Sequence, residues 1–148
     1  MKNKIKIGCV YGFLALETII IALIIYFWVG LDLISEPPGF KSDGPKLMSL
    51  FLLMVVVAPI TEEFFFRWIP IRGIGLITKN KLALWVIIMV SSVGFGISHG
   101  SWHHIFIQGV AGIIFSLAFL KGGYLSSVTA HVAYNFIIFA TLFYPKQI

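Results

Sequence analysis

One cysteine in 148 residues excludes an internal disulfide, and nothing around Cys9 supports a thiol nucleophile. Charge is nearly as scarce. Asp, Glu, Lys and Arg make up 11% of the chain while 59% is hydrophobic, and the mean hydropathy is +0.97. No soluble domain of this size needs so much apolar surface. Internal repeats are lacking, which argues against a carrier built from repeated halves. An HExxH pair is lacking too, so a zinc site of that helical kind is excluded.

What the chain has is apolar length. Five runs approach or exceed the roughly 20 residues that a helix needs to cross a bilayer. They are Ile7–Leu31, Leu47–Ile69, Leu82–Ile97, Ile105–Leu120 and Tyr124–Phe143, of which the third and fourth are short. They predict an all-α fold, a polytopic helical membrane protein with about five transmembrane helices around an intramembrane polar site. Residues 1–148 read as a single membrane domain, with 7–31 as an additional N-terminal helix and 47–143 as the core. The first run follows Lys2, Lys4 and Lys6, as a secretion signal would. It is too long for one and has no small-x-small cleavage site, so it is expected to be retained.

The net charge of +5 reports topology rather than nucleic acid. Lys2, Lys4, Lys6, Arg72, Lys79, Lys81 and Lys121 flank the spans on one side, and Lys41, Lys46 and Lys146 on the other. The positive-inside rule then puts the N-terminus in the cytoplasm and the C-terminus outside, in what is expected to be a bacterial cell membrane. The stretch Asp32–Lys46, rich in Pro and Gly, becomes an extracytoplasmic connector. A reporter fused after Ile148 is expected to work only if it requires export. Activity of a cytoplasm-only reporter there would overturn the orientation and the five-span count together.

Against this background Glu62, Glu63 and Arg67 are out of place, since three formal charges interrupt the second apolar run. A charge near mid-helix costs roughly 2.5–3.5 kcal/mol, so three cost roughly 7–10, against about 1–2 returned by Phe64, Phe65 and Phe66. They must face a protein interior or a wet cavity. Glu63 precedes Arg67 by one helical turn, the favourable order for an ion pair that fixes helix packing. Glu62 lies about 100° further around the helix and is the spare carboxylate. Pro59 cannot donate to the carbonyl of Val55, so a kink and a freed polar group are expected beside the acids.

Other polar residues are scattered through the spans. Glu17, in the first, either packs against a polar group of a neighbouring helix or serves the site or proton exchange. His99 follows Gly94 and Gly96 at the end of the third, while His103 and His104 beside Trp102 suit an interfacial belt. Gln108 and Ser116 read as interhelical glue. His131 and Asn135 share one helix face, two donors that could hold an oxyanion or bond another helix.

In chain order, Glu62-Glu63-x-x-x-Arg67, Phe95-x-x-x-His99 and His131-x-x-x-Asn135 resemble the three motifs of the CAAX protease and bacteriocin-processing family, also called Abi. Its members are intramembrane endopeptidases, some of which cleave prenylated CAAX proteins. Each motif falls on its own apolar segment, and the ordered set is far more specific than any one of them. The resemblance implies hydrolysis of a peptide bond in a membrane-associated protein or peptide, with 47–143 as catalytic core. It implies that Glu62 and His99 activate water, that His131 and Asn135 stabilise the oxyanion, and that Glu63 with Arg67 shapes the site. The implied partners are a substrate at the membrane and the lipid bilayer, with no nucleic acid. Relatives usually have more helices, so a homo-oligomer is open as a way to close the cavity.

Two ways of activating water follow. A carboxylate out of bulk water beside a second acid is a competent general base, which favours a glutamate-dependent protease with no cofactor. The alternative is zinc held by Glu62, His99 and His131, which would take His131 from the oxyanion. Two non-proteolytic functions compete. One is a bacteriocin-immunity or regulatory protein of the same fold; the other is a proton-coupled carrier using Glu17, Glu62 and the histidines. Hydropathy also puts Glu62 in the inner half of its span and His99 at the outer end of the next. The third span must therefore run past His99 or break at its glycines.

Overall fold

The computed structural model describes residues 1–29, 44–100, 102 and 104–143. Among these the chain forms five helices and no strand: α1 (Lys2–Val29), α2 (Lys46–Ile77), α3 (Lys81–Ile97), α4 (Ile105–Gly122) and α5 (Tyr124–Phe143). Helices α2 and α4 are long and apolar enough to cross a membrane, and α3 is a shorter apolar helix. The protein is an all-α membrane protein. The connector falls outside the described residues, save that Gly44 to Lys46 already belong to a helix. His103 also lies outside them.

Helix α1 lies against α4 and α5, α2 packs on α3 and α5, and α3 packs on α4. Ala15, Phe95, Ala111, Phe115, Ala118, Ala130 and Tyr134 form the core between them. With lipid outside there is little hydrophobic drive for helices to meet, so small residues that let backbones approach decide where they do. Gly12 shows this on α1, where a Cβ would stand 2.8 Å from the Ala130 carbonyl oxygen and 2.9 Å from Ala133 Cβ of α5.

Prolines give α2 its shape. It winds as a π-helix over Leu52–Val57 and again over Phe64–Trp68, and each wide turn ends just before a proline, Pro59 or Pro70. Proline lacks an N–H and its ring clashes with the carbonyl four residues back, a conflict that the wider turn relieves. Hence α2 runs on to Ile77, past the Ile69 expected from hydropathy. The carbonyl that Pro59 leaves free also differs from expectation. Ala58 N–H bonds five residues back, to Leu53 O, so the next acceptor in register is Met54 O and not Val55 O. Met54 O receives Asn135 Nδ2 of α5 at 2.8 Å. Before Pro70, Phe66 O receives Ser91 Oγ of α3. Both carbonyls thus become bonds between helices.

Three polar residues end up elsewhere than expected. Ser116 Oγ donates to Gly112 O at 2.8 Å within α4, and Gln108 Oε1 accepts from His104 Nδ1, at the N-terminal cap of α4, at 2.7 Å, so neither joins two helices. One turn back is simply the nearest acceptor. Glu17 is exposed and bonds to none of the described residues, because Gly8, Gly12 and Ala15 occupy the face of α1 that meets the bundle.

Candidate active site

The ion pair anticipated on α2 forms in the interior. Arg67 Nη1 lies 3.4 Å from Glu63 Oε1, with both side chains fully buried. The guanidinium sits over the Phe95 ring at 4.3 Å from its centroid, and 5.7 Å from that of Phe115. Two aromatic faces thus supplement the single carboxylate as counter-charge. Room for it comes from α4. A Cβ on Gly112 would stand 2.5 Å from Arg67 Nη2 and 3.1 Å from Phe95 Cδ1. Gly112→Ala is therefore expected to push the guanidinium off Phe95 and to destabilise the protein by about 1–3 kcal/mol, the usual range for overpacking. Thermal unfolding in detergent measures it, and wild-type stability would show that α4 can yield.

Glu63 holds more than Arg67. His131 Nδ1 of α5 donates to Glu63 Oε1 at 3.0 Å, across 68 positions of sequence. The other ring nitrogen, Nε2, lies 3.6 Å from Glu62 Oε2. One imidazole therefore stands between the two acids, its ring stacked on Phe115 at 4.6 Å between centroids and edge-on to Phe95 at 5.5 Å. A sandwiched ring held at Nδ1 keeps Nε2 aimed in one direction. Burial is unequal. Glu63 and Arg67 are fully buried and His131 is 2% exposed, while the Glu62 side chain is 28% exposed. Glu62 is the one member of the cluster open to the surroundings.

The remaining motif residues occupy the flanks. His99 is exposed, and its Nδ1 donates to Phe95 O at 2.8 Å, so that Nε2 is left as an acceptor. Its ring packs edge-on against Phe95 at 4.7 Å. Phe95 thus touches Arg67, His99 and His131 at once, which ties α3 to the acids of α2. Asn135 sits one turn beyond His131 with its amide nitrogen on Met54 O. The structure joins Glu62, Glu63 and Arg67 through His131 and Glu63, brings His99 to them through Phe95, and leaves Asn135 one turn along α5 on Met54 O.

Residues 44–137, more than half of the chain, match the family described as type II CAAX prenyl endopeptidase Rce1-like. The chain belongs to that family. The Rce1-like region takes in α2, α3, α4 and most of α5 and leaves α1 outside. The probable galactarate/D-glucarate transporter GudP of Bacillus subtilis (strain 168) is 30% identical over 116 residues. That likeness takes in 71% of this chain and 26% of the transporter, so the chain spans about a quarter of that relative's length. No solved structure matches.

Several residues that build this cluster carry no motif of their own. Phe115 supports His131, Gly112 admits Arg67, Ser91 meets Phe66 O, and Tyr124 donates from its hydroxyl to Ile60 O at 2.6 Å. The available signal was weak: a glycine inside an apolar span, and the disturbance of backbone bonding that two prolines were bound to cause.

Proposed function

We propose that this Rce1-like protein is an intramembrane endopeptidase that hydrolyses a peptide bond in a membrane-associated protein or peptide. The observation that carries the reading is His131 set between two carboxylates, of which Glu63 is fully buried and Glu62 is 28% exposed. Glu62 takes a proton from water as that water attacks the substrate carbonyl, and the same proton passes to the leaving amine. His131, held by Glu63 through Nδ1, presents Nε2 toward Glu62 and the developing oxyanion. Asn135, one turn away, offers its second amide N–H beside it. His99 shares the attacking water through Nε2, while Glu63 and Arg67 hold His131 in place from the dry side.

Zinc held by Glu62, His99 and His131 is the alternative way of activating the water. His131 Nδ1 is held by Glu63, Nε2 faces Glu62 at 3.6 Å, and among the described residues no group of three His, Cys, Asp or Glu side chains is arranged to hold a metal ion. Water activation by Glu62 requires no Lewis acid. Purified protein is expected to keep its activity through chelation; loss restored by added zinc would overturn the glutamate-only mechanism.

Comparing the peptidomes of cells that make wild-type protein or Glu62→Gln tests the function itself. A peptide with a new terminus should be present with wild type and absent with the variant. Identical peptidomes would discard the protease and favour a binding role, as in bacteriocin immunity. The likeness to a transporter favours a second reading, a proton-coupled carrier. Proton-driven uptake of galactarate or glucarate by proteoliposomes, with no change in the peptidome, would support it. An ordered motif set on three helices outweighs likeness to a quarter of a larger apolar protein.

A further inference from the structure

Helix α2 is 32 residues long, about 45 Å, and so exceeds the roughly 30 Å of hydrocarbon in a bilayer. Its last turns, from Arg72 onward, therefore stand at headgroup level. There a cleft of about 470 Å³ opens between α2, the end of α4 and the start of α5. Trp68, Ile71, Leu76, Phe119 and Leu120 give it apolar walls, and Arg72 is the one cation among the described residues that line it. Arg72 is exposed and has no hydrogen bond or ion pair with any described residue. Lys121, next along α4, is turned to α1 instead, its Nζ lying 5.8 Å from the centroid of the Tyr11 ring.

No other part of residues 1–148 reaches this cleft. Residues 30–43 are tied to Val29 and Gly44. Gly44 lies roughly 40 Å from Arg72 along α2, while a loop of that length reaches out no more than about 25 Å. Residues 101 and 103 lie between α3 and α4, and residues 144–148 follow Phe143, so each set is at the far end of a helix that borders the cleft. Whatever fills the cleft comes from outside these residues, and charge says what kind of molecule it is. Ser126 Oγ of α5 donates to Lys4 O of α1 at 2.8 Å, which sets the start of α1 at this same end of the bundle. Lys2, Lys4, Lys6, Arg72, Lys79, Lys81 and Lys121 thus gather at one end, where no described residue is acidic. Glu62 and Glu63 lie about 13 Å or more before Arg72 along α2. An end of uniform positive charge at the membrane surface attracts anionic headgroups.

We propose that the cleft binds one anionic phospholipid, with its phosphate on Arg72 and an acyl chain against Trp68, Leu76 and Phe119. A guanidinium meets phosphate through two parallel N–H bonds, and the apolar walls beside it take the chain that a free anion lacks. Tyr124 also lines the cleft and donates its hydroxyl to Ile60 O, two residues before Glu62, so the bound lipid borders the candidate active site. The proposal does not depend on the protease reading, and its test reads lipid binding instead of cleavage.

Native mass spectrometry of the detergent-purified protein, titrated with phosphatidylglycerol or phosphatidylcholine of the same acyl chains, measures it. Wild type should take up one phosphatidylglycerol, about ten-fold more tightly than phosphatidylcholine. Arg72→Gln should weaken phosphatidylglycerol binding by about ten-fold, the least expected from a lost hydrogen bond to a charged group. Gly75→Leu keeps the charge and fills the cleft: Gly75 lines it, and a Cβ there would meet nothing within 4 Å. It should weaken both lipids. Lys79→Gln removes a charge from the same end but not from the cleft, and should bind as wild type does. A wild type that takes up neither lipid or both equally, or unchanged binding by Arg72→Gln or Gly75→Leu, would overturn the proposal. So would a loss with Lys79→Gln as large as with Arg72→Gln, which would mean diffuse attraction, or displacement of the lipid by an equal concentration of glycerol phosphate, which would mean a site for a free anion.

Discussion

Glu62→Gln is expected to fold as wild type does and to cleave substrate about 10²–10⁴-fold more slowly, the usual contribution of a general base. Folding is spared because the side chain is 28% exposed and its contact with His131 Nε2 is long, at 3.6 Å. A carboxamide keeps the shape and the acceptor oxygen and loses only the capacity to take a proton. Single-turnover cleavage of a peptide identified in cells measures the effect, with the circular dichroism spectrum as the check on folding. His131→Ala should fall in the same range, since it removes the group that both acids address. Turnover at the wild-type rate by the Glu62→Gln protein would remove Glu62 from the chemistry and leave the cluster a structural one.

Arg67→Ala is expected to fail in the opposite way, yielding little folded protein. The substitution strands Glu63 without its counter-charge in a fully buried position, and breaking such a pair costs about 3–5 kcal/mol, a large share of the stability of a domain this small. Lysine should rescue it poorly. A compact ammonium cannot lie flat on the Phe95 face as the guanidinium does at 4.3 Å. The informative companion is the double replacement Glu63→Gln with Arg67→Met, which removes both charges together. Much of the stability should return while activity stays lost, because His131 Nδ1 then faces a neutral acceptor. Yield and thermal unfolding in detergent measure the first part and peptide cleavage the second. Arg67→Ala protein as stable as wild type would show that the buried pair is not what holds α2 in the bundle.

These two opposite failures come from adjacent glutamates, and half of that division was legible in the sequence. The spacing from Glu63 to Arg67 is a local matter of one helical turn, so their pairing was readable, and so was the spare carboxylate at Glu62. That His131 joins the pair was not readable, because the bond from its Nδ1 to Glu63 crosses 68 positions. Nothing in the order of residues says which nitrogen meets which acid. The prolines were legible as disturbances and misleading in detail. A step of five residues instead of four moves the freed carbonyl from Val55 to Met54, and only the wound backbone shows which step is taken. Glu17 was legible as a misplaced acid, while the expectation that a neighbouring helix would receive it failed on the glycines behind it.

By itself the amino-acid sequence determined the solvent, the fold class and the candidate residues of the site. Apolar length, the cost of charge in lipid and the one-turn spacings act within single helices, and the ordered motifs carried the family. The tertiary structure decided which faces meet. It tied Asn135 to Met54, set Phe95 against Arg67, His99 and His131, and turned Glu17 away from all of them. The physical reason is that apolar faces are nearly interchangeable between lipid and protein. Contacts then rest on where a small residue admits a neighbouring backbone and where a directional bond finds its acceptor, and both are properties of two helices at once.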